Sequence, residues 1–127
     1  MARFEYIGMI AKDMAATLRF YRLLGMDIPE GVDQEGHVEA ALTDLRVAWD
    51  TEALIKQIYP DWQPPTGQRI GVGFLCDSPA EVDDLYNRVV AAGYEGYKAP
   101  WDAFWGQRYA VVTDPDGNHV DLFAPLA

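Results

Sequence analysis

Few side chains in this chain are able to do chemistry. The histidines are His37 and His119, and the one cysteine is Cys76. Aromatic residues crowd into APWDAFWGQRY, Ala99 to Tyr109, which holds Trp101, Phe104, Trp105 and Tyr109. His119 lies two residues before Asp121, so on a strand both point to one side. An imidazole and a carboxylate on one face are the beginning of a metal site, which further ligands from other elements would have to complete. The plainer reading makes His119 a strand histidine with a satisfied hydrogen bond and His37 a solvated residue at a strand entrance. Local sequence suggests no Ser, His and Asp set. Cys76 ends an apolar stretch and reads as packing rather than as a nucleophile. The segments around Gly67 and Gly71–Gly73 lack the surroundings of a phosphate loop. Glu81, Asp83 and Asp84 read as the solvated face of a helix.

The aromatic run poses a sharper choice. It is either a wedge of core or a surface that stacks on something flat. Indoles are large and rigid, and they stack well on conjugated rings. Composition narrows the partners. The formal net charge is −10 and the sequence pI is near 4.4. Nucleic acid is excluded, because its binding needs Lys and Arg against phosphate. A cationic or neutral ligand is compatible, though an acidic surface also serves solubility alone. No apolar run approaches the roughly 18 residues of a membrane span. MARFEYIGMI lacks the basic start, long apolar run and small-residue cleavage site of a secretion signal. A lone cysteine forms no internal disulfide, and a cytoplasmic location is the expectation.

Elements must position these side chains, and a length of 127 residues allows one domain with a real core. RFEYIGMIA (3–11) reads as a strand, and DMAATLRFYRLLGM (13–26) as a helix capped by Asp13 and stopped at Gly25. HVEAALTDLRVAWD (37–50) reads as two strands with a tight turn near Thr43-Asp44, and TEALIKQIY (51–59) as a short helix. PDWQPPTG (60–67) is a connector. RIGVGFLC (69–76) is then a strand, and SPAEVDDLYNRVVAAG (78–93) a helix with Ser78 as cap and Pro79 in its first turn. YEGYKAP (94–100) reads as a short strand. GQRYAVVTDPDGNHVDLFA (106–124) reads as a hairpin closed by DPDGN. Each half reads as strand, helix and three strands, a βαβββ unit, with modules of about 1–59 and 68–127.

The doubled unit, with DMAATLRFYRLLGM and WGQRYAVVTDPDGNHVDLFAP, resembles the vicinal oxygen chelate superfamily. That group includes glyoxalase I, extradiol dioxygenases, and fosfomycin and bleomycin resistance proteins. The likeness covers essentially the whole chain. HVEAAL, RVAWDT, YPDWQPPTG, AGYEG, KAPW and WGQRYA are further similar to mitomycin-binding resistance proteins, which hold a drug without transforming it. The resemblance implies an α+β fold of two βαβββ modules with curved mixed sheets, completed as a domain-swapped homodimer.

The superfamily's enzymes hold a divalent metal through His, Glu, His and Glu on four strands. Those positions fall here on Tyr6, Ala48, Gly71 and Asp121. One carboxylate and one phenol are a poor set, so no metal and no other cofactor is expected. Strand alternation groups Tyr6, Gly8 and Ile10; Arg46, Ala48 and Asp50; Gly71, Gly73 and Leu75; and Tyr109, Val111 and Thr113. By the family's geometry these line the cup of the sheet, where glycines leave room for a ligand. Trp101 and Trp105 would sit in a loop at its rim. The resemblance implies that Trp105 and His37 sandwich a planar ring, with the imidazole also able to hydrogen-bond a quinone oxygen. Tyr59 and Trp62 would close the pocket. Asp50 would accept from an amine or carbamate, or else cap the helix 51–59. Trp49 and Phe104 read as packing, and Arg108 as paired with an acidic neighbour. The function this implies is non-catalytic sequestration of a planar, quinone-type antibiotic. The alternative is a metal-dependent isomerase, lyase or dioxygenase using His119 and Asp121.

Overall fold

The computed structural model describes residues 1, 3–68 and 70–127. Arg69, the first residue of the strand expected at 69–76, lies outside them. The chain forms two compact units, Met1–Pro64 and Pro65–Ala127. The class is α+β, with two small mixed sheets.

The first unit contains β1 (Tyr6–Ala11), α1 (Met14–Leu23), β2 (His37–Ala41), β3 (Arg46–Thr51) and α2 (Glu52–Ile58). Its sheet order is β1-β3-β2, with β1 parallel and β2 antiparallel to β3. Asp13 starts α1 by accepting from the Ala16 amide at 3.1 Å. Met14, Thr17, Leu18, Phe20 and Tyr21 are the buried side of this helix. They meet the sheet through Trp49, which is fully buried 5.6 Å from the Tyr21 ring. Trp49 is therefore core, as its strand parity requires. The short helix expected at 51–59 is α2, seven residues capped by the Thr51 hydroxyl. The described residues of the first unit form three strands, so the βαβββ pattern assigned to this half counts one strand too many.

The second unit contains β4 (Val72–Leu75), α3 (Pro79–Ala91), β5 (Glu95–Ala103), β6 (Gln107–Thr113) and β7 (His119–Pro125). This is the βαβββ pattern in full. Its sheet order is β4-β7-β6-β5, with β4 parallel to β7 and the other pairs antiparallel. Ser78 caps α3 by accepting from the Glu81 amide at 3.1 Å, and Pro79 opens its first turn. Gly93, at φ 97°, ends it in a conformation L side chains rarely adopt. Val82, Leu85 and Val89 turn toward the sheet and meet the buried Ala110, Val112, Val120, Leu122 and Ala124. The opposite parity of β6 and β7 is half-buried or exposed except at Thr113, which is buried, so one sheet face carries the helix and the other is largely open.

The β6–β7 turn is built by Asp114. Its carboxylate accepts from the Asp116 and Asn118 amides at 2.9 and 2.8 Å and from the Asn118 side chain at 2.8 Å. The strand expected at 94–100 is longer than read. β5 runs through Trp101 to Ala103 and joins β6 by a tight turn over Phe104, Trp105 and Gly106. Trp101 is thus a strand residue, not part of a loop. β5 contains two register shifts against β6, between Gly96 and Lys98 and between Lys98 and Trp101.

Candidate functional site

In the first unit the register pairs Tyr6 with Arg46, Gly8 with Ala48, and Ile10 and His37 with Asp50. Tyr6, Asp50 and His37 therefore share one sheet face, as strand alternation requires. His37 is held from both sides. Its Nδ1 is 2.5 Å from Asp50 and its Nε2 is 2.8 Å from Glu39. Glu39 in turn accepts from Arg46, whose guanidinium lies 5.8 Å from the centre of the Tyr6 ring. The carboxylates raise the His37 pKa above its usual value, the Glu39 hydrogen bond first and the Asp50 bond second. Glu39 is lowered, by its bonds from His37 and then Arg46.

This geometry corrects two expectations. Both nitrogens of His37 are engaged, so neither is left to hydrogen-bond a quinone oxygen; only the ring face remains. Asp50 does not cap α2. Thr51 does, its hydroxyl accepting from the Leu54 amide at 3.2 Å, which releases Asp50 for His37. Tyr59 is the exposed C-cap residue of α2, and its carbonyl accepts from the Trp62 amide at 2.9 Å.

The open face of the second sheet is aromatic. Cross-strand pairing aligns Trp101, Tyr109, Phe123 and Leu75 in one row over four strands. Trp101 meets Tyr109 edge to face at 5.5 Å, and Tyr109 stacks on Phe123 at 6.1 Å. Trp105 leans over the row from the turn, 6.0 Å from Trp101 and 5.2 Å from Tyr109, both edge to face. Its indole N–H donates to Gln107 at 2.8 Å, which fixes the ring while leaving it 47% exposed. Phe104 is 96% exposed and touches Trp105 at 5.1 Å, so it is not the packing residue the sequence suggested. Gly73 does not leave open room either. A Cβ there would meet the Phe123 ring at 3.3 Å, so the glycine accommodates that ring.

Polar groups border this row. The Tyr109 hydroxyl donates to Asp121 at 2.5 Å. Desolvation, then the bond to Asp121, pushes its pKa up to about 12. Lys98 places its ammonium 4.1 Å from the Trp101 ring centre. His119 lies at the start of β7, with its ring 4.1 Å from Tyr97 and its backbone amide and carbonyl both bonded by the Gln68 side chain. Arg108 faces the helix side and pairs with Asp83 and Asp102, as its parity indicated. Sequence reasoning missed Lys98 and Phe123. Phe123 shares the parity of Asp121 and was within reach of the same counting. Lys98 was not, because the register shifts in β5 break the alternation.

The residues present do not fit the divalent metal of the fold family. Gly71 and the buried Ala48 offer no donor atom. The Tyr6 ring faces Arg46, and Asp121 already accepts from Tyr109. Among the described residues no group of three or more His, Cys, Asp or Glu side chains is arranged to hold a metal ion. No helix among them is long and apolar enough to cross a membrane. Cys76 is buried, and desolvation raises its thiol pKa, which disfavours the nucleophilic thiolate.

Fold and sequence place the chain in a known group. The sequence model of the Glyoxalase/Bleomycin resistance protein/Dioxygenase superfamily matches residues 3–122, and the chain belongs to that superfamily. A glyoxalase/bleomycin resistance protein/dioxygenase family enzyme from Burkholderia phytofirmans superposes with a TM-score of 0.83 at 20% identity, covering 96% of this chain and 98% of that one. A glyoxalase/bleomycin resistance protein/dioxygenase from Nocardioides is 25% identical with a TM-score of 0.75, over 99% and 85%. A lactoylglutathione lyase from Agrobacterium tumefaciens is 18% identical with a TM-score of 0.68, over 98% and 94%. Uncharacterized proteins of Mycobacterium bovis and Mycobacterium tuberculosis share 41% identity over 46 residues, or 36% of this chain. That segment spans 30% and 27% of their lengths.

Proposed function

We propose that the chain is a non-catalytic binding protein that sequesters a planar aromatic or quinone-type antibiotic, of the mitomycin, bleomycin or enediyne kind, by stacking it on aromatic side chains. The carrying observation is the open aromatic row of the second sheet, with Trp105 half-exposed above Trp101 and Tyr109. Soluble proteins seldom leave so much ring surface exposed without a partner for it. Two of the fold family's four metal positions, Ala48 and Gly71, carry no donor atom, which supports binding without turnover. His37, held by Asp50 and Glu39, offers a second flat surface in the first unit, and Tyr6, Tyr59 and Trp62 are further candidate contacts. We also propose a homodimer, since exposed apolar side chains such as Tyr6 and Leu75 lie on the edge strands β1 and β4.

The test is a titration of the purified, metal-analysed protein with mitomycin C, bleomycin and a neutral anthraquinone, followed by tryptophan fluorescence. Saturable quenching by a compound recovered unchanged supports sequestration. Trp105→Ala is expected to weaken that binding by about 2 kcal/mol or more, as a hot-spot aromatic does, with an unchanged circular dichroism spectrum. Turnover of any of these compounds by metal-loaded protein would overturn the reading.

A further inference from the structure

The aromatic row carries charge on both sides. Next to it on the open face, pairing aligns Lys98 with Val111 and Val111 with Asp121. Lys98 reaches that row only because of the register shifts in β5. In a regular strand, residues 98 and 101 would face opposite sides. Its ammonium lies 4.1 Å from the centre of the Trp101 ring. A cation already occupies the π face that a stacked ligand needs. Lys98 is exposed, and a contact of this kind at an exposed position is weak. A ligand displaces it readily.

Asp121 supplies the counter-charge. One of its oxygens accepts the hydrogen bond from the Tyr109 hydroxyl, which leaves the other free of that bond. One step along β6 lies Thr113, more than nine-tenths buried, whose hydroxyl has no hydrogen-bond partner among the described residues. Thr113 pairs with His119, so it is a diagonal neighbour of Asp121 on the same face. A carboxylate and an unused hydroxyl beside a row of rings suit a flat molecule with a protonated N–H group. The net charge of −10 draws such a molecule in and repels an anion.

We infer that the ligand of the aromatic face is a cationic planar molecule, that Asp121 and Thr113 receive its protonated nitrogen, and that Lys98 occupies the Trp101 face in its absence. This rests on the stacking role proposed above for that face. It makes Lys98 a specificity-determining residue, because a cation competes for the position Lys98 holds and an anion would pair with it.

Three tricyclic probes of similar size test the charge: proflavine as cation, acridone as neutral ring and anthracene-9-carboxylate as anion, each followed by equilibrium dialysis. Proflavine is expected to bind about tenfold tighter than acridone, with the anion weakest. Lys98→Met keeps the stem and removes the charge, and should tighten proflavine by about threefold. Asp121→Asn should weaken proflavine by about fivefold while leaving acridone unchanged. Asp84→Asn removes an equal charge from the exposed side of α3 and should change neither. If Asp84→Asn weakens proflavine as much as Asp121→Asn, attraction is diffuse and the inference fails. If acridone or the anion binds as tightly as proflavine and Trp105→Ala abolishes that binding, the stacking face stands and the charge assignment falls. If Trp105→Ala changes none of the three, the stacking role itself falls, and this inference with it.

Discussion

His37 sits between two carboxylates, and that position decides its charge. Its folded pKa is raised above the unfolded value, so the stabilisation it provides is fully present below pH 6.5. That contribution is lost as pH rises through the raised value. Glu39 is lowered, so its share is present above its ordinary value of 4.5 and lost as pH falls through the folded one. The cluster is therefore most stabilising in mildly acidic solution. Its His37 ring resonance should titrate above 6.5 by NMR, and His37→Gln should remove the loss of thermal stability on raising pH through that range. A His37 titrating at or below 6.5 contradicts the pairing. Tyr109 makes a second prediction. Tyr109 should ionise near pH 12 in an ultraviolet titration, and Asp121→Asn should bring that step down. Stability linked to this group is complete below pH 10 and declines as pH rises from there to about 12.

At the scale of elements, α3 and β5 are in close contact. A Cβ on Gly96 would lie 2.3 Å from the Tyr86 hydroxyl and 2.9 Å from Val90, so Gly96→Ala must displace these side chains or the helix that carries them. We expect it to cost about 1–3 kcal/mol in denaturant unfolding. Ser78→Ala, which removes only the cap of α3, is expected to cost about 1 kcal/mol. A Gly96→Ala variant as stable as the parent would contradict the packing. The helices were legible in the sequence because their signals are local: Asp13, Ser78 and Pro79 at the starts, glycines at the ends. The β6–β7 hairpin was legible because DPDGN carries its own turn chemistry. The end of β5 was not. Pro100 and the aromatic run read as loop, whereas edge position and two bulges let the strand continue to Ala103. The short helix at 51–59 was legible too, with Thr51 as its cap, although the repeat pattern counted a further strand that the described residues of the first unit do not form.

For the molecule as a whole, the superfamily was legible from the doubled pattern, while the chemistry of its faces was legible only in part. Parity placed Tyr6, Asp50, Tyr109 and Asp121 correctly, because regular strands alternate. The same alternation puts Glu39, two residues after His37 on β2, on the His37 side, but only the structure shows that the two carboxylates Asp50 and Glu39 take one ring nitrogen each. If the proposed homodimer forms, light scattering at micromolar concentration should give twice the 14.2 kDa chain mass. A single-chain mass there would exclude it. Moderate salt should leave that assembly intact, because it rests on apolar edges, while it should weaken a cationic ligand's encounter with this acidic protein.

The bulged course of β5 has an evolutionary consequence. β5 is an edge strand, bonded among the described residues to β6 alone, so its register can slide without disturbing β7 or β4. Gaining or losing one residue between Gly96 and Trp101 would exchange which side chains look outward beyond that point, while leaving the pairing of β4, β7 and β6 intact. Descendants of this chain can therefore acquire new ligand preferences by small length changes in a single peripheral segment, with little risk to the fold.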